Sequence, residues 1–215
     1  MARVWYRAVS VLLIRRRRPI GEPGEGGRHG SERRHSPALE AIDGTAGAGR
    51  ICAALLELGI GLSGVRQAVI DADASIDDLA AMDLGARFDL VVLGSHLINL
   101  PDDDRRSAFV QLAARHVAGG GRVLVEHHPI DWAEMAGPTT PTPGAEVGMD
   151  EVRRHPPFVS AISTFDIGGR FVRQPFTARV LSEAELAEAV GACGLAVRRR
   201  LGPTWLEALG STIDA

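Results

Sequence analysis

The run Asp43-Gly-Thr-Ala-Gly-Ala-Gly-Arg-Ile51 constrains this chain more than any other segment. A short apolar stretch at 38–42 leads into it. Ile51, Ala54, Leu55 and Leu58 then recur at helical spacing until Gly59 stops the run. Strand, glycine turn and helix are predicted in that order. Gly47 and Gly49 can take backbone angles closed to other residues, which lets a ligand approach the main chain and the start of the helix. A nucleotide-like ligand suits such a turn, with Asp43 at the strand end able to reach across it. A plain connecting turn uses the same glycines, so the rest of the chain has to decide between them.

Two further apolar runs end in a similar way. Phe88-Asp-Leu-Val-Val-Leu93 leads to Gly94-Ser95-His96, and Gly121-Arg-Val-Leu-Val-Glu126 leads to His127-His128-Pro129. Three predicted strands thus finish in small or polar residues, at the edge where open parallel sheets bind their ligands.

With these pieces in this order, residues 38–210 resemble the S-adenosylmethionine-dependent methyltransferases of the Rossmann-like class. The resemblance rests on four segments. They are Asp43 to Gly49, the Phe-Asp-Leu-Val-Val run at 88–92, the Gly-Gly-Gly-Arg-Val-Leu-Val run at 119–125, and Arg179-Val-Leu-Ser-Glu-Ala-Glu-Leu186 opening a late helix. It implies an α/β fold with a Rossmann-like, mostly parallel sheet and helices on both faces. A C-terminal antiparallel hairpin and an inserted antiparallel lid complete that expectation. The implied cofactor is S-adenosyl-L-methionine, with the backbone from Thr45 to Gly49 around its amino-acid end and Asp43 nearby. Asp73 and Ala74 are expected at the adenine, and Ser95 beside the donor.

The sequence departs from that pattern after Gly64-Val65, where Arg66 stands in place of the acid expected to hold the ribose. The chain then runs directly into Gln67-Ala-Val-Ile-Asp-Ala-Asp-Ala74 with no room for a helix. Parallel neighbours need a crossover of about a dozen residues, so one strand has to be lost or reassigned. Either 61–71 forms one irregular edge segment and Asp73 with Ala74 keeps the adenine role, or 68–71 is the second strand. In the second case Asp71 or Asp73 is the ribose acid and 75–82 is a shortened helix.

Charge divides the chain. Residues 1–37 carry 9 Arg and 3 Glu, a balance of +6, while 38–215 carry 15 Arg and 24 Asp or Glu, a balance of −9. Residues 1–37 are expected to form a basic arm, disordered or partly docked, 38–210 the methyltransferase-like domain, and 211–215 a tail. Cys52 and Cys193 each sit in a helical pattern without a partner at metal-ligand spacing, which suits a reducing, cytoplasmic compartment. No apolar run reaches the roughly 18 residues of a membrane span, and no membrane or nucleic-acid partner is expected.

Pro101 with Asp102, Asp103 and Asp104 is predicted to open a helix, because acids favour its positive end. Three successive acids point in different directions, and the neighbours His127 and His128 face opposite sides of a strand, so no metal site is expected. The lid is assigned to 129–181. Its part up to Pro157 reads as a mobile loop, and 160–167 with 170–180 as a hairpin around Gly168-Gly169. Trp132, Phe158, Phe165, Phe171 and Phe176 either line an apolar acceptor pocket or cement the lid. Ser182-Glu-Ala-Glu185 forms a capping box, and 195–201 with 204–209 a closing antiparallel pair.

Methyl transfer from a sulfonium gains chiefly from alignment and needs a base only where the acceptor must lose a proton. His96 is the first candidate for that base, with His127 and Glu126 behind it. The expected function is methyl transfer to the oxygen or nitrogen of a small-molecule acceptor. A degenerate fold that binds a ligand or partner without catalysis is the alternative, and a nicotinamide-dependent enzyme a third.

Overall fold

The computed structural model describes residues 8–14, 65–71, 75–137, 147–167 and 170–210. The Asp43–Gly49 turn, the helix predicted after it, and Asp73 with Ala74 lie outside these residues.

Six described strands form the main sheet. They are β1 (Ala8–Ile14), β2 (Val65–Asp71), β3 (Phe88–Leu93), β4 (Val117–Glu126), β8 (Leu195–Arg200) and β9 (Trp205–Gly210), in the order β2-β1-β3-β4-β9-β8. A second sheet contains β5 (Val147–His155), β6 (Phe158–Ile167) and β7 (Arg170–Arg179), paired antiparallel in chain order. Four helices are described: α1 (Ile76–Ala81), α2 (Asp103–His116), α3 (Trp132–Met135) and α4 (Glu183–Gly191). The chain is α/β, with a mixed main sheet, the antiparallel insert and the closing antiparallel hairpin.

Local chemistry sets the helix ends as the sequence predicts. The Asp102 side chain accepts the Arg105 N–H, while Asp103 and Asp104 fill the first turn of α2. At α4, Ser182 Oγ accepts the Glu185 N–H and the Glu185 carboxylate accepts the Ser182 N–H at 2.8 Å, so two otherwise orphan donors are satisfied reciprocally. A second capping box, Ser75 with Asp78, opens α1.

Alternation along the strands builds the core. Val91 and Leu93 of β3 and Val123 and Val125 of β4 join Phe109, Leu112 and Ala113 of α2 and Leu186 and Val190 of α4 in one buried cluster. Each large side chain in it contributes about 1.5–3 kcal/mol. Glu207 of β9 is also buried, between Arg199 of β8 at 2.6 Å and Arg122 of β4 at 3.2 Å. Burial alone would push its carboxyl up, but the hydrogen bonds from Arg199 and Arg122 outweigh that and hold it below the usual range.

Three expectations are corrected. Residues 8–14, in the arm expected to be disordered or partly docked, form β1, which lies between β2 and β3 and antiparallel to both. The run Ala-Val-Ser-Val-Leu-Leu-Ile has the apolar, β-branched composition that strands favour, and the arginines after it do not cancel that preference. The sheet is also less parallel than expected: among the described strands only β3 and β4 run parallel. Because β2 pairs antiparallel with β1, the missing crossover ceases to be a problem. Among the described strands β2 lies at one edge, as in the first repair of the 61–82 region, while helix α1 falls where the second places one. Finally, residues 147–155 are strand β5, where a mobile loop is predicted; pairing with β6 outweighs the loop-like composition beside it.

Candidate functional site

The parallel pair β3/β4 sets the site, because both strands deliver their polar residues to the same carboxyl edge. Ser95 and His96 leave β3 in the left-handed region, at φ 56° and 53°, and a 3-10 turn, Leu97–Asn99, follows. Such angles are uncommon for side-chain-bearing residues and persist where the surroundings hold them. Here Glu126, at the end of β4, does so. Its buried carboxylate accepts the Ser95 N–H at 2.7 Å and lies 3.8 Å from His96 Nε2, an ion-pair separation. The His96 side chain keeps 30% of its surface exposed, so the ring borders solvent.

A column of flat rings runs from His96 into the insert. The His128 ring stacks on His96 at 3.9 Å and 13°, and Trp132 stacks on His128 at 3.7 Å and 5°. Phe176 of β7 tilts against Trp132 at 6.4 Å. Trp132 also packs with Ala133, Val159 and Val180 in the small core between α3 and the insert sheet.

His127 is held differently. Its Nδ1 lies 2.9 Å from the His128 carbonyl, which can only accept, and its Nε2 lies 3.2 Å from an Arg200 guanidinium, which can only donate. Both nitrogens are used in one neutral tautomer. Burial pushes its pKa below the ordinary value, the bond to the His128 carbonyl opposes that, and the Arg200 charge adds to it. Its place behind His96 as a candidate base is therefore corrected: His127 packs the sheet edge. Glu126, the other candidate behind His96, has one carboxylate oxygen committed to the Ser95 N–H and serves the turn.

Asn99 is the residue that the sequence reading missed. It is buried, its Oδ1 accepts the His128 N–H at 2.9 Å, and its Nδ2 donates to the Arg179 carbonyl at 2.8 Å. A polar residue inside Leu97-Ile-Asn-Leu100 is a signal of such a role, since a buried amide has to be hydrogen-bonded. Beyond it, the Arg179 guanidinium joins Asp103 of α2 at 3.0 Å and Glu185 of α4 at 2.8 Å. The bonds from Arg106 and Arg179 hold the Asp103 carboxyl below its usual range.

No family model matches the chain, and no curated protein does. Among solved structures it is similar to the CcbJ methyltransferase from Streptomyces caelestis, at 19% identity and a TM-score of 0.48 over 62% of this chain and 65% of that one. The sugar N-methyltransferase KedS8 from a Streptoalloteichus species matches at 16% identity and a TM-score of 0.46, over 62% of this chain and 60% of that one. An S-adenosylmethionine-dependent methyltransferase from Clostridium acetobutylicum matches at 12% and 0.47, over 75% and 69%. The chain thus spans about 65% and 60% of the length of the first two. These are distant likenesses, and the chemistry has to be read from this chain's own residues.

Of the residues singled out in the sequence, Ser95 and His96 come together with Glu126 as described. Asp71 ends β2, and its side chain lies outside the described residues, as do those of Phe165 and Phe171. Asp43, Thr45, Gly47, Gly49, Asp73 and Ala74 lie wholly outside them. Phe158 is exposed, whereas Trp132 and Phe176 are half-buried and cement the insert to the site. A shallow depression of roughly 430 Å³ lies on the insert sheet, and Glu151, Arg153, Ser160, Ala161, Phe176 and Thr177 are among its lining residues. Phe176, the far ring of the column that starts at His96, is part of its lining.

Proposed function

We propose that this chain is an S-adenosylmethionine-dependent methyltransferase acting on the oxygen or nitrogen of a small-molecule acceptor. The observation that carries this reading is the convergence of Ser95, His96 and the buried Glu126 at the carboxyl ends of two adjacent parallel strands. The glycine-rich Asp43–Gly49 motif in the same chain supports it. The donor, when bound, supplies an activated methyl group, and a carboxylate beside stacked rings suits a ligand that carries positive charge. Asp43 and the backbone from Thr45 to Gly49 would hold it, with Ser95 at the strand end and Asp71 or Asp73 and Ala74 toward its nucleoside.

In this reading His96 would take the proton that the acceptor gives up. Glu126 stands at ion-pair distance from the resulting imidazolium, and the ring column limits how far the ring can turn. The insert, which roots beside His96, selects the acceptor.

One observation favours a second reading, in which the fold binds a ligand without catalysis. Both edges of β3 are occupied, by β1 antiparallel on one side and β4 on the other, which departs from the mostly parallel sheet that the resemblance implies.

Two measurements separate the readings. Transfer of a labelled methyl group to a panel of small hydroxyl and amino compounds is expected for the intact chain. It should fall about 10²–10⁴-fold in His96→Ala, the range of a lost general base. Undiminished turnover in His96→Ala removes that residue from the chemistry. Donor binding without any transfer supports the second reading.

A further inference from the structure

We propose that Asn99 is a positioning residue that ties the orientation of His96 to the seating of the insert. The insert leaves the main sheet after His128 and returns at Val180. Asn99 holds the chain at both places, through the His128 N–H at 2.9 Å and the Arg179 carbonyl at 2.8 Å. One buried amide therefore fixes both roots of a segment of about fifty residues.

The link from there to His96 is short. His128, held by its backbone N–H, lays its ring flat on His96 at 3.9 Å on one side and on Trp132 at 3.7 Å on the other. Trp132 opens α3 and packs into the insert's own core against Val159 and Val180. A shift of the insert moves Trp132 and the Arg179 carbonyl together. Both displacements reach His128, and through its ring they reach His96. Among the groups that face the His96 ring are the Glu126 carboxylate from the end of β4 and the His128 ring from the segment after it. A change in stacking alters how the ring sits against that carboxylate.

The structure offers a way to perturb one root alone. The Arg179 guanidinium clasps Asp103 and Glu185 without touching His128, so Arg179→Gln loosens the return of the insert and leaves Asn99 in place. The functional weight of the coupling rests on His96 being the base proposed above; the coupling itself does not.

The test is histidine-selective NMR of the full chain without substrate, following the His96 ring through a pH titration. Hydrogen exchange across β6 and β7 is recorded in parallel. In Arg179→Gln the exchange quickens and the His96 midpoint moves by roughly half a pH unit, as expected when a ring shifts against a nearby carboxylate. In the Asn99→Ala background the same Arg179 substitution leaves the His96 midpoint where it was, because the connection is gone. Where Asn99→Ala does not fold, Asn99→Asp keeps an acceptor for His128 but loses the donor to Arg179, and the same result is expected. An unchanged His96 midpoint in Arg179→Gln overturns the proposal, as does a shift of equal size with and without Asn99. A chain that binds no methyl donor can still pass this test, so its failure and the failure of the functional reading are separate results.

Discussion

At the scale of single residues, the site shows how environment assigns different tasks to neighbouring groups of one type. His96 borders solvent beside a buried carboxylate, whereas His127 is sealed between a carbonyl and a guanidinium. The sealed one has a consequence for stability. Burial lowers the folded-state pKa of His127 below its ordinary 6.5, so the unfolded chain binds the extra proton more readily. Its contribution is fully present above about pH 6.5 and is lost as pH falls through that window toward the folded value. The urea midpoint of the intact chain should therefore drop between about pH 7.5 and about pH 5.5, and His127→Gln should drop less over the same interval. Equal drops would show that His127 is not buried in its neutral form. The strand end before Ser95 and His96 was legible in the sequence because the apolar pattern of β3 stops there. Asn99 was not, because its role depends on two partners 29 and 80 residues away.

Elements whose signals are local were read correctly, and those that depend on distant pairing were not. The cap at Asp102, the box at Ser182 and the closing hairpin of β8 and β9 each carry their determinants within a few residues. Strand β1 and strand β5 depend on partners elsewhere: β1 lies between β2 and β3, and β5 needs β6. The apolar, β-branched run of β1 does favour a strand but lies directly before a run of arginines, and β5 follows a stretch rich in proline and threonine. The glycine run at the start of β4 makes a sharp test of packing at this scale. A Cβ added at Gly121 would meet Val117 Cγ2 at 2.8 Å, the Ala118 carbonyl at 2.9 Å and the Phe88 carbonyl at 3.1 Å, two of them backbone atoms that cannot swing aside. Gly119 has nothing within 4 Å. Gly121→Ala should cost about 1–3 kcal/mol in chemical denaturation and Gly119→Ala no more than about 0.5 kcal/mol. Similar effects for the two would mean that Gly121 is not packed against Val117, Ala118 and Phe88 as described.

For the whole molecule, the α/β class and the place of the insert followed from the order of strand, helix and turn signals. The direction of the strands did not. Parallel pairing was inferred from the glycine turn and the strand ends, yet the segment from Val65 to Asp71 solves its missing crossover by pairing antiparallel with a strand from the start of the chain. What survives that change is the polar edge where β3 and β4 end side by side, and the account stands on a methyl donor binding there. No helix among the described residues is long and apolar enough to cross a membrane. Calorimetric titration of the full chain with S-adenosylmethionine, and with S-adenosylhomocysteine and NAD as comparisons, tests the claim most directly. Saturable binding of the first two at one site per chain, weakened by Asp43→Ala and absent for NAD, is the predicted result. No heat with either sulfur nucleoside, together with no rise in the chain's thermal midpoint when they are added in excess, would contradict it.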